Sequence, residues 1–467
     1  MAVRKLSVDV AIIGAGTAGM TAFSAARRAG KKVVMIESGA YGTMCARVGC
    51  MPSKLLIAAA DAAQAARSSG LFGVQTDGVY VDGEAVMERV RTERDRFVSF
   101  AVKTVQNYDD DQKVQGRARF LSDTTIRVDE HTEIDAVSTV IAVGSEPFVP
   151  SDFSHLGERL VVNDDVFDWK TLPASILVVG SGVIGMELGQ ALSRLGVKTT
   201  LVNRSQGLAG MTDPHVHASA VQAFQHDMDL RFNTHIASTE LTADGVRVLL
   251  SGSDPDAPTT TLTVECVLMA TGRRPALANL GLENTSVQLN EQGQPVPDPN
   301  TLQLGTAPIF IAGDVTGQLP LLHEAADEGH IAGKNAAHYP DVQPGTRRAP
   351  LSIVFTDPQI ASVGKNYASI DDKTSIVTGE VDFGNQGRSR IIGKNQGMLR
   401  VYVRQSDGVF LGAEMAGPQM EHIAHLLAWS YQQQLTVSAM LAMPFYHPVI
   451  EEGLRTALRD AASKLKR

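Results

Sequence analysis

Residues 43–54, TMCARVGCMPSK, hold two of the three cysteines in this 467-residue chain, Cys45 and Cys50, with Gly49, Pro52 and Lys54 alongside. Two thiols so placed are either a dithiol–disulfide pair or small, inert neighbours. On a regular α-helix a five-residue step rises about 7.5 Å and turns about 140°, which leaves the Cα atoms about 8.7 Å apart. A disulfide needs less than about 7 Å. The pair can therefore close only where the backbone leaves the helix between them. Gly49 supplies that freedom, and Pro52 suits a first helical turn. The run that follows, SKLLIAAADAAQAA, is strongly helix-forming. The cysteines are thus expected at or just before a helix N-terminus, where the helix dipole and unpaired N–H groups lower a thiol's pKa.

Two further stretches supply elements that can hold a cofactor beside such a pair. VDVAIIGAGTAGMTAFSAARRAGKKVVMIES reads as a buried strand, the fingerprint Gly14, Gly16 and Gly19, a helix, and a second strand ending at Glu37. The first glycine makes a tight turn, the second lets the backbone approach a pyrophosphate, and the third lets helix pack on strand. The helix N-terminus then faces the phosphates. Glu37 stands 37 − 14 = 23 residues on, where an acid can bind a ribose hydroxyl. The pattern recurs in SILVVGSGVIGMELGQALSRLGVKTTLVNRS with Gly180, Gly182 and Gly185. The position equivalent to Glu37 is here Asn203, followed by Arg204. Asn203 can still bond a ribose hydroxyl without repelling a 2′-phosphate, and Arg204 can bind such a phosphate or stand as a surface charge. The choice between NAD and NADP stays open.

A chain of this length accommodates about three domains. With 43% hydrophobic and 20% charged residues it reads as an ordinary globular protein. The net charge of −9 argues against a nucleic-acid or acidic-membrane partner. Three cysteines are too few for a secreted disulfide scaffold, so a disulfide here is expected to be catalytic. The N-terminal basic and apolar residues imitate a signal peptide, but the glycine fingerprint interrupts the run. A long uninterrupted apolar stretch is lacking, and the expectation is a cytoplasmic protein without a membrane span. His422 and His425 share a helix face without an evident third metal ligand, Cys266 reads as a core thiol, and SGSDPDAPTTT, residues 251–261, as an exposed hairpin loop. No metal site is expected.

Taken in order, these segments resemble the pyridine nucleotide–disulfide oxidoreductases along nearly the whole chain, most closely the dihydrolipoamide dehydrogenase branch. The resemblance implies an α/β fold with two Rossmann-like domains, for FAD and for NAD(P), and an α+β C-terminal dimerisation domain. The implied segments are 1–147 (FAD, first part), 148–270 (NAD(P)), 271–346 (FAD, return) and 347–467 (interface). VIAVGSEP, residues 140–147 with Gly144, resembles the crossing to the nucleotide domain, and MATGRRP, residues 269–275 with Gly272, the return. IFIAGDV, residues 309–315, resembles the segment whose aspartate, here Asp314, holds the flavin ribityl chain. QGRARF, residues 115–120, resembles the stretch meeting the FAD adenine near Arg117 and Ala118. FTDPQIASVG, residues 355–364, matches the opening of the dimerisation domain.

By the same resemblance Cys45 is the interchange thiol and Cys50 the charge-transfer thiol, while Lys54 and Glu187 form an ion pair beside the reactive flavin nitrogen. In FYHPVIEEG, residues 445–453, His447 is the acid/base, met from the partner subunit of a homodimer, and Glu452 orients it. A carboxylate raises an imidazole's basicity and fixes its tautomer. The implied reaction oxidises dihydrolipoamide with NAD+, on a small molecule or a lipoyl domain, with a 2-oxo acid dehydrogenase-type complex as the implied setting of the lipoyl-domain form. An NADPH-dependent disulfide reductase similar to glutathione reductase is the direct rival. A flavoprotein scaffold or nucleotide sensor without thiol turnover is the rival of another class. The chain departs from the family at Met44, where a hydroxyl residue is usual, and at Val449, Ile450 and Glu451 after the His-Pro pair. With Met44 unable to donate to the FAD pyrophosphate, either Thr43 takes that role or FAD is held less tightly.

Overall fold

The apolar run of residues 10–13 becomes the buried end of the strand Arg4–Ile13, which lies parallel between Val33–Glu37 and Thr132–Ile141. Parallel strands covered on both faces need such continuous apolar runs. The computed structural model describes residues 3–252 and 259–465. Contacts divide these into two compact units, one of 1–52, 91–148 and 273–347, the other of 53–90, 149–272 and 348–467.

In the first unit the sheet runs in the order Lys113–Gln115, Val33–Glu37, Arg4–Ile13, Thr132–Ile141, Thr125–Val128, Ala118–Phe120, and Ile309–Ile311 also pairs with Thr132–Ile141. The helix Thr17–Arg28 crosses over from the first strand to the second and buries Ala18, Ala22, Phe23 and Ala26. Its approach is set by glycine. A Cβ on Gly19 would lie 1.9 Å from the Gly14 carbonyl oxygen, and one on Gly14, at φ +108°, would lie 2.2 Å from that of Ala142. A Cβ on Gly16 meets nothing within 4 Å. The crossing segments Ser145–Pro147 and Arg273–Pro275 pair as an antiparallel ribbon.

The second unit repeats the device. Ser175–Val179, Lys198–Val202, Asp229–Arg231, Cys266–Met269 and Leu160–Val161 form a parallel sheet. Gly185 would place a Cβ 1.9 Å from the Gly180 oxygen, while Gly182 faces open space. The unit also carries the antiparallel strands Thr234–Thr242, Gly245–Gly252 and Thr260–Val264. Of the expected loop at 251–261, residues 253–258 lie outside the described residues. Toward the C-terminus a five-stranded antiparallel sheet packs with the helices Met420–Gln432 and Glu452–Leu465 around Leu399, Phe410, Met415, Leu427 and Leu458.

Residues 53–90 belong to this second unit, although they fall inside the segment expected for the first domain. The reason is packing: Arg67 donates to the Arg194 carbonyl, Leu71 and Phe72 lie over Gly393, and Gly83 sits against Thr171 and Leu172. Among the described residues no helix is long and apolar enough to cross a membrane.

The two fingerprint glycines are expected to respond differently to the same change. Gly19→Ala forces helix and turn apart and is expected to destabilise the apoprotein by about 1–3 kcal/mol or more. Gly16→Ala is expected to change it by less than about 0.5 kcal/mol. Thermal melts of the two apoproteins check this ordering.

Candidate active site

The thiols are placed by two successive helix starts in the first 52 residues. Thr43 caps the short helix Met44–Val48, its Oγ1 accepting from the Ala46 N–H at 3.1 Å. Gly49, at φ −124° and ψ −118°, breaks the helix, and Cys50 begins the next, Cys50–Ser68. Cys45 is half-buried on the short helix and Cys50 exposed at the head of the long one. A Cβ on Gly49 would stand 3.1 Å from the Cys45 Cα, so glycine lets the chain turn back closely past Cys45.

Met44 is held by a residue whose part in the site sequence reasoning missed. Arg273 Nη2 donates to Met44 Sδ at 3.1 Å and to the Ser145 carbonyl at 2.8 Å, while Nε donates to Ser145 Oγ at 2.9 Å. Ser145 Oγ in turn donates to Asp314 Oδ2 at 3.2 Å. The only local signal was Arg273's place in the return crossing. Asp314 follows Gly313, whose N–H donates to buried Glu328 at 2.8 Å. Burial raises the Glu328 pKa, opposed by that N–H and by Arg347.

The first fingerprint leaves room for a dinucleotide such as FAD. Gly14 and Gly19 leave no room for side chains, whereas open space lies before Gly16 at the N-cap of Thr17–Arg28. Glu37 Oε2 accepts from the Ala15 N–H and Oε1 from the Gly39 N–H, both at 2.8 Å. Each oxygen keeps a lone pair for a ribose hydroxyl. The Gly116 N–H donates to the Glu37 carbonyl at 2.9 Å, which brings exposed Arg117 and the strand residue Ala118 past the end of that strand. Gly144 stands at φ +71°, and a Cβ there would lie 3.8 Å from the Met44 methyl.

In the second unit Lys54 Nζ and Glu187 Oε2 are 2.6 Å apart. Glu187 is 4% exposed, and its Oε1 accepts from the Phe355 N–H at 2.9 Å. The Lys54 ammonium lies 4.7 Å from the centre of the Phe355 ring. Gly180, Gly182 and Gly185 present the same open N-cap as the first fingerprint. Asn203 Nδ2 donates to the Gly207 carbonyl at 3.0 Å, and exposed Arg204 makes no ion pair among the described residues. Gly272 ends this stretch at φ +109°.

His447, its side chain 81% exposed, precedes a cis peptide bond to Pro448. Its Nδ1 lies 2.9 Å from Glu452 Oε2. An ionised carboxylate only accepts, so Nδ1 carries the proton and Nε2 is left to receive another. Buried Ile450, and Gln386 Nε2 donating to the Val449 carbonyl at 2.8 Å, pin the intervening turn. Glu452 heads the helix Glu452–Leu465, where negative charge suits the dipole. Desolvation acts to raise its pKa, but hydrogen bonds from His447 and the Val449 N–H, with the charges of His447 and Arg455, hold it below the ordinary carboxylate range. Arg455, 2.6 Å from Glu452 Oε1, was also missed; its signal was the i,i+3 spacing.

Cys266 is buried in a strand, and burial, with Glu265, pushes its thiol up to about 12. His425 Nδ1 bonds to the Glu421 carbonyl of its own helix at 2.6 Å. Among the described residues no group of three or more His, Cys, Asp or Glu is arranged to hold a metal ion.

The chain matches the pyridine nucleotide-disulphide oxidoreductase family over residues 8–329, and that family's dimerisation domain over 351–458. It is 28% identical to dihydrolipoyl dehydrogenase 2 of Haloarcula marismortui, covering 97% of this chain and 96% of the relative. It is 29% identical to the soluble pyridine nucleotide transhydrogenase of a Marinomonas species, covering 98% of each. Among solved structures, LpdA of Mycobacterium tuberculosis superposes with a TM-score of 0.83 at 25% identity, covering 98% of this chain and 99% of the other.

Because the folded pKa of Glu452 is depressed, its hold on the turn is complete above the ordinary carboxylate pKa and is lost as pH falls through the folded value. Arg455→Ala is expected to move that loss to higher pH. Carboxyl-carbon NMR titration of both proteins checks the direction.

Proposed function

The chain belongs to the pyridine nucleotide-disulphide oxidoreductases, and we propose that it is an FAD-dependent dithiol/disulfide oxidoreductase that oxidises dihydrolipoamide with NAD+ through a Cys45–Cys50 disulfide. The observation that carries this reading is the helix break at Gly49 between two cysteines, each at a helix start. A substrate thiolate attacks Cys45 Sγ, the Cys45–Cys50 bond breaks, and Cys50 leaves as a thiolate. The second substrate thiol then gives its proton to Nε2 of the partner subunit's His447 and attacks the substrate sulfur bonded to Cys45, breaking that bond so that Cys45 leaves as a thiolate. The substrate leaves as a cyclic disulfide, and the two electrons stay on the cysteine pair. Glu452 holds the histidine Nδ1–H throughout, so that Nε2 stays the basic atom. Bound FAD supplies two-electron transfer onward to the nicotinamide.

The residue roles follow from the same reading. Gly14, Gly16, Gly19, Glu37, Arg117, Ala118, Gly144 and Asp314 serve FAD, and Lys54–Glu187 sets the charge beside its reactive ring. Gly180, Gly182, Gly185, Asn203, Arg204 and Gly272 serve the nicotinamide cofactor. By sequence segment, residues 1–147 with 271–346 serve as the FAD domain, although 53–90 pack within the second compact unit, 148–270 as the NAD(P) domain, and 347–467 as the interface of a homodimer. A cytoplasmic setting, with a lipoyl domain of a 2-oxo acid dehydrogenase-type complex as substrate, fits this activity. Asn203 in place of an acid, with Arg204 exposed beside it, favours a second reading in which NADPH drives reduction of a disulfide.

Cys45→Ser is expected to keep nicotinamide-dependent flavin reduction and lose dithiol turnover, and retained turnover would remove the assignment. Anaerobic reduction by NADH and NADPH in parallel, followed by turnover with lipoamide and glutathione disulfide, separates the two readings. His447→Ala is expected to lower dithiol turnover by about 10²–10⁴-fold.

A further inference from the structure

The helix Val183–Arg194 directs three buried polar side chains, Glu187, Gln190 and Arg194, at one short segment, Phe355–Pro358. Glu187 takes the Phe355 N–H, as described. Gln190, 4% exposed, engages both main-chain groups of Asp357: its Oε1 accepts from the Asp357 N–H at 2.8 Å and its Nε2 donates to the Asp357 carbonyl at 2.7 Å. One primary amide thus satisfies a whole backbone residue, as a neighbouring strand would. Arg194 Nη2 also donates to that carbonyl at 3.1 Å, and Asp227 Oδ2 accepts from Gln190 Nε2 at 3.0 Å and from Arg194.

We propose that Gln190 is a positioning residue for the Lys54–Glu187 pair, acting through the main chain of Phe355–Asp357. Glu187 stands one helical turn before Gln190, so both grip the segment from the same helix face. The Phe355 N–H can hold Glu187 Oε1 only where the segment sits at its present distance from the helix, and the Asp357 clamp sets that distance. The Phe355 ring beside the Lys54 ammonium moves with the same segment. Losing the clamp strands a partly buried N–H and loosens the Phe355 contact, so the Glu187 carboxylate can rotate away from Lys54. The inference rests on the proposed role of Lys54–Glu187 beside the flavin.

The test compares wild type, Glu187→Gln, Gln190→Met and the double variant as FAD-loaded enzymes. It reads the visible flavin spectrum, the rate constant for anaerobic flavin reduction by the preferred nicotinamide, the nicotinamide KM and the melting temperature. Gln190→Met is expected to slow flavin reduction by about ten- to a hundredfold, the scale of misplacement near 1 Å, with KM little changed. Its flavin spectrum is expected to shift in the same direction as that of Glu187→Gln, and the double variant to be no slower than Glu187→Gln alone. Gln190→Leu, similar in size with neither donor nor acceptor and no added charge, is expected to show the same slowing and serves if the methionine variant does not fold. A changed Glu187→Gln beside Gln190 variants with wild-type spectrum and rate, whatever their melting temperature, overturns the proposal. So do effects that multiply in the double variant. A Glu187→Gln enzyme with wild-type spectrum and rate overturns it differently, by removing the role of the ion pair itself.

Discussion

Two thiols five residues apart cannot share one uninterrupted helix and also meet, and this chain breaks its helix between them at Gly49. The neighbouring sequence answers to it. Thr43 closes off the preceding loop so that the short helix can start, and Gly49 leaves space against the Cys45 backbone. Cys50 then opens a helix of 19 residues, whose stiffness fixes where that thiol stands. Met44, between cap and thiol, is held by Arg273 rather than left to solvent.

Three carboxylates of the chain are fixed in the same way, each by at least two donors. Glu37 ends a strand and takes two backbone N–H groups, Glu187 takes Lys54 and the Phe355 N–H, and Glu452 heads a helix between His447 and Arg455. Two-point attachment removes rotational freedom from each side chain and sets the direction in which its oxygens point. At Glu452 the partners also overcome desolvation and hold its pKa low.

Much of the fold was legible because its strongest constraints are local and steric. Gly14 and Gly19, and Gly180 and Gly185, are separated by five residues for a reason that survives any context: a Cβ at the later position would strike the carbonyl of the earlier one. The buried strand Val10–Ile13 and the helix after Cys50 could be read from pattern and propensity in the same way. What escaped was carried by single side chains over long sequence distances. Arg273 reaches Met44 across 229 residues, and Gln190 reaches Asp357 across 167, with nothing in the neighbourhood of either to announce the partner. The allegiance of residues 53–90 to the second unit is of this kind too, since it rests on contacts such as Arg67 to Arg194. Local pattern specifies elements; it does not specify which distant element a polar side chain will satisfy.

The central claim is that Cys45 and Cys50 store the two electrons that pass between substrate and cofactor. Differential alkylation measures it directly: the purified FAD-loaded enzyme is labelled under anaerobic, denaturing conditions before and after reduction with an excess of its nicotinamide, and each cysteine peptide is quantified by mass spectrometry. The account predicts that Cys45 and Cys50 gain label together only after reduction, while Cys266 is labelled equally in both samples. Equal labelling of Cys45 and Cys50 before and after reduction would contradict it.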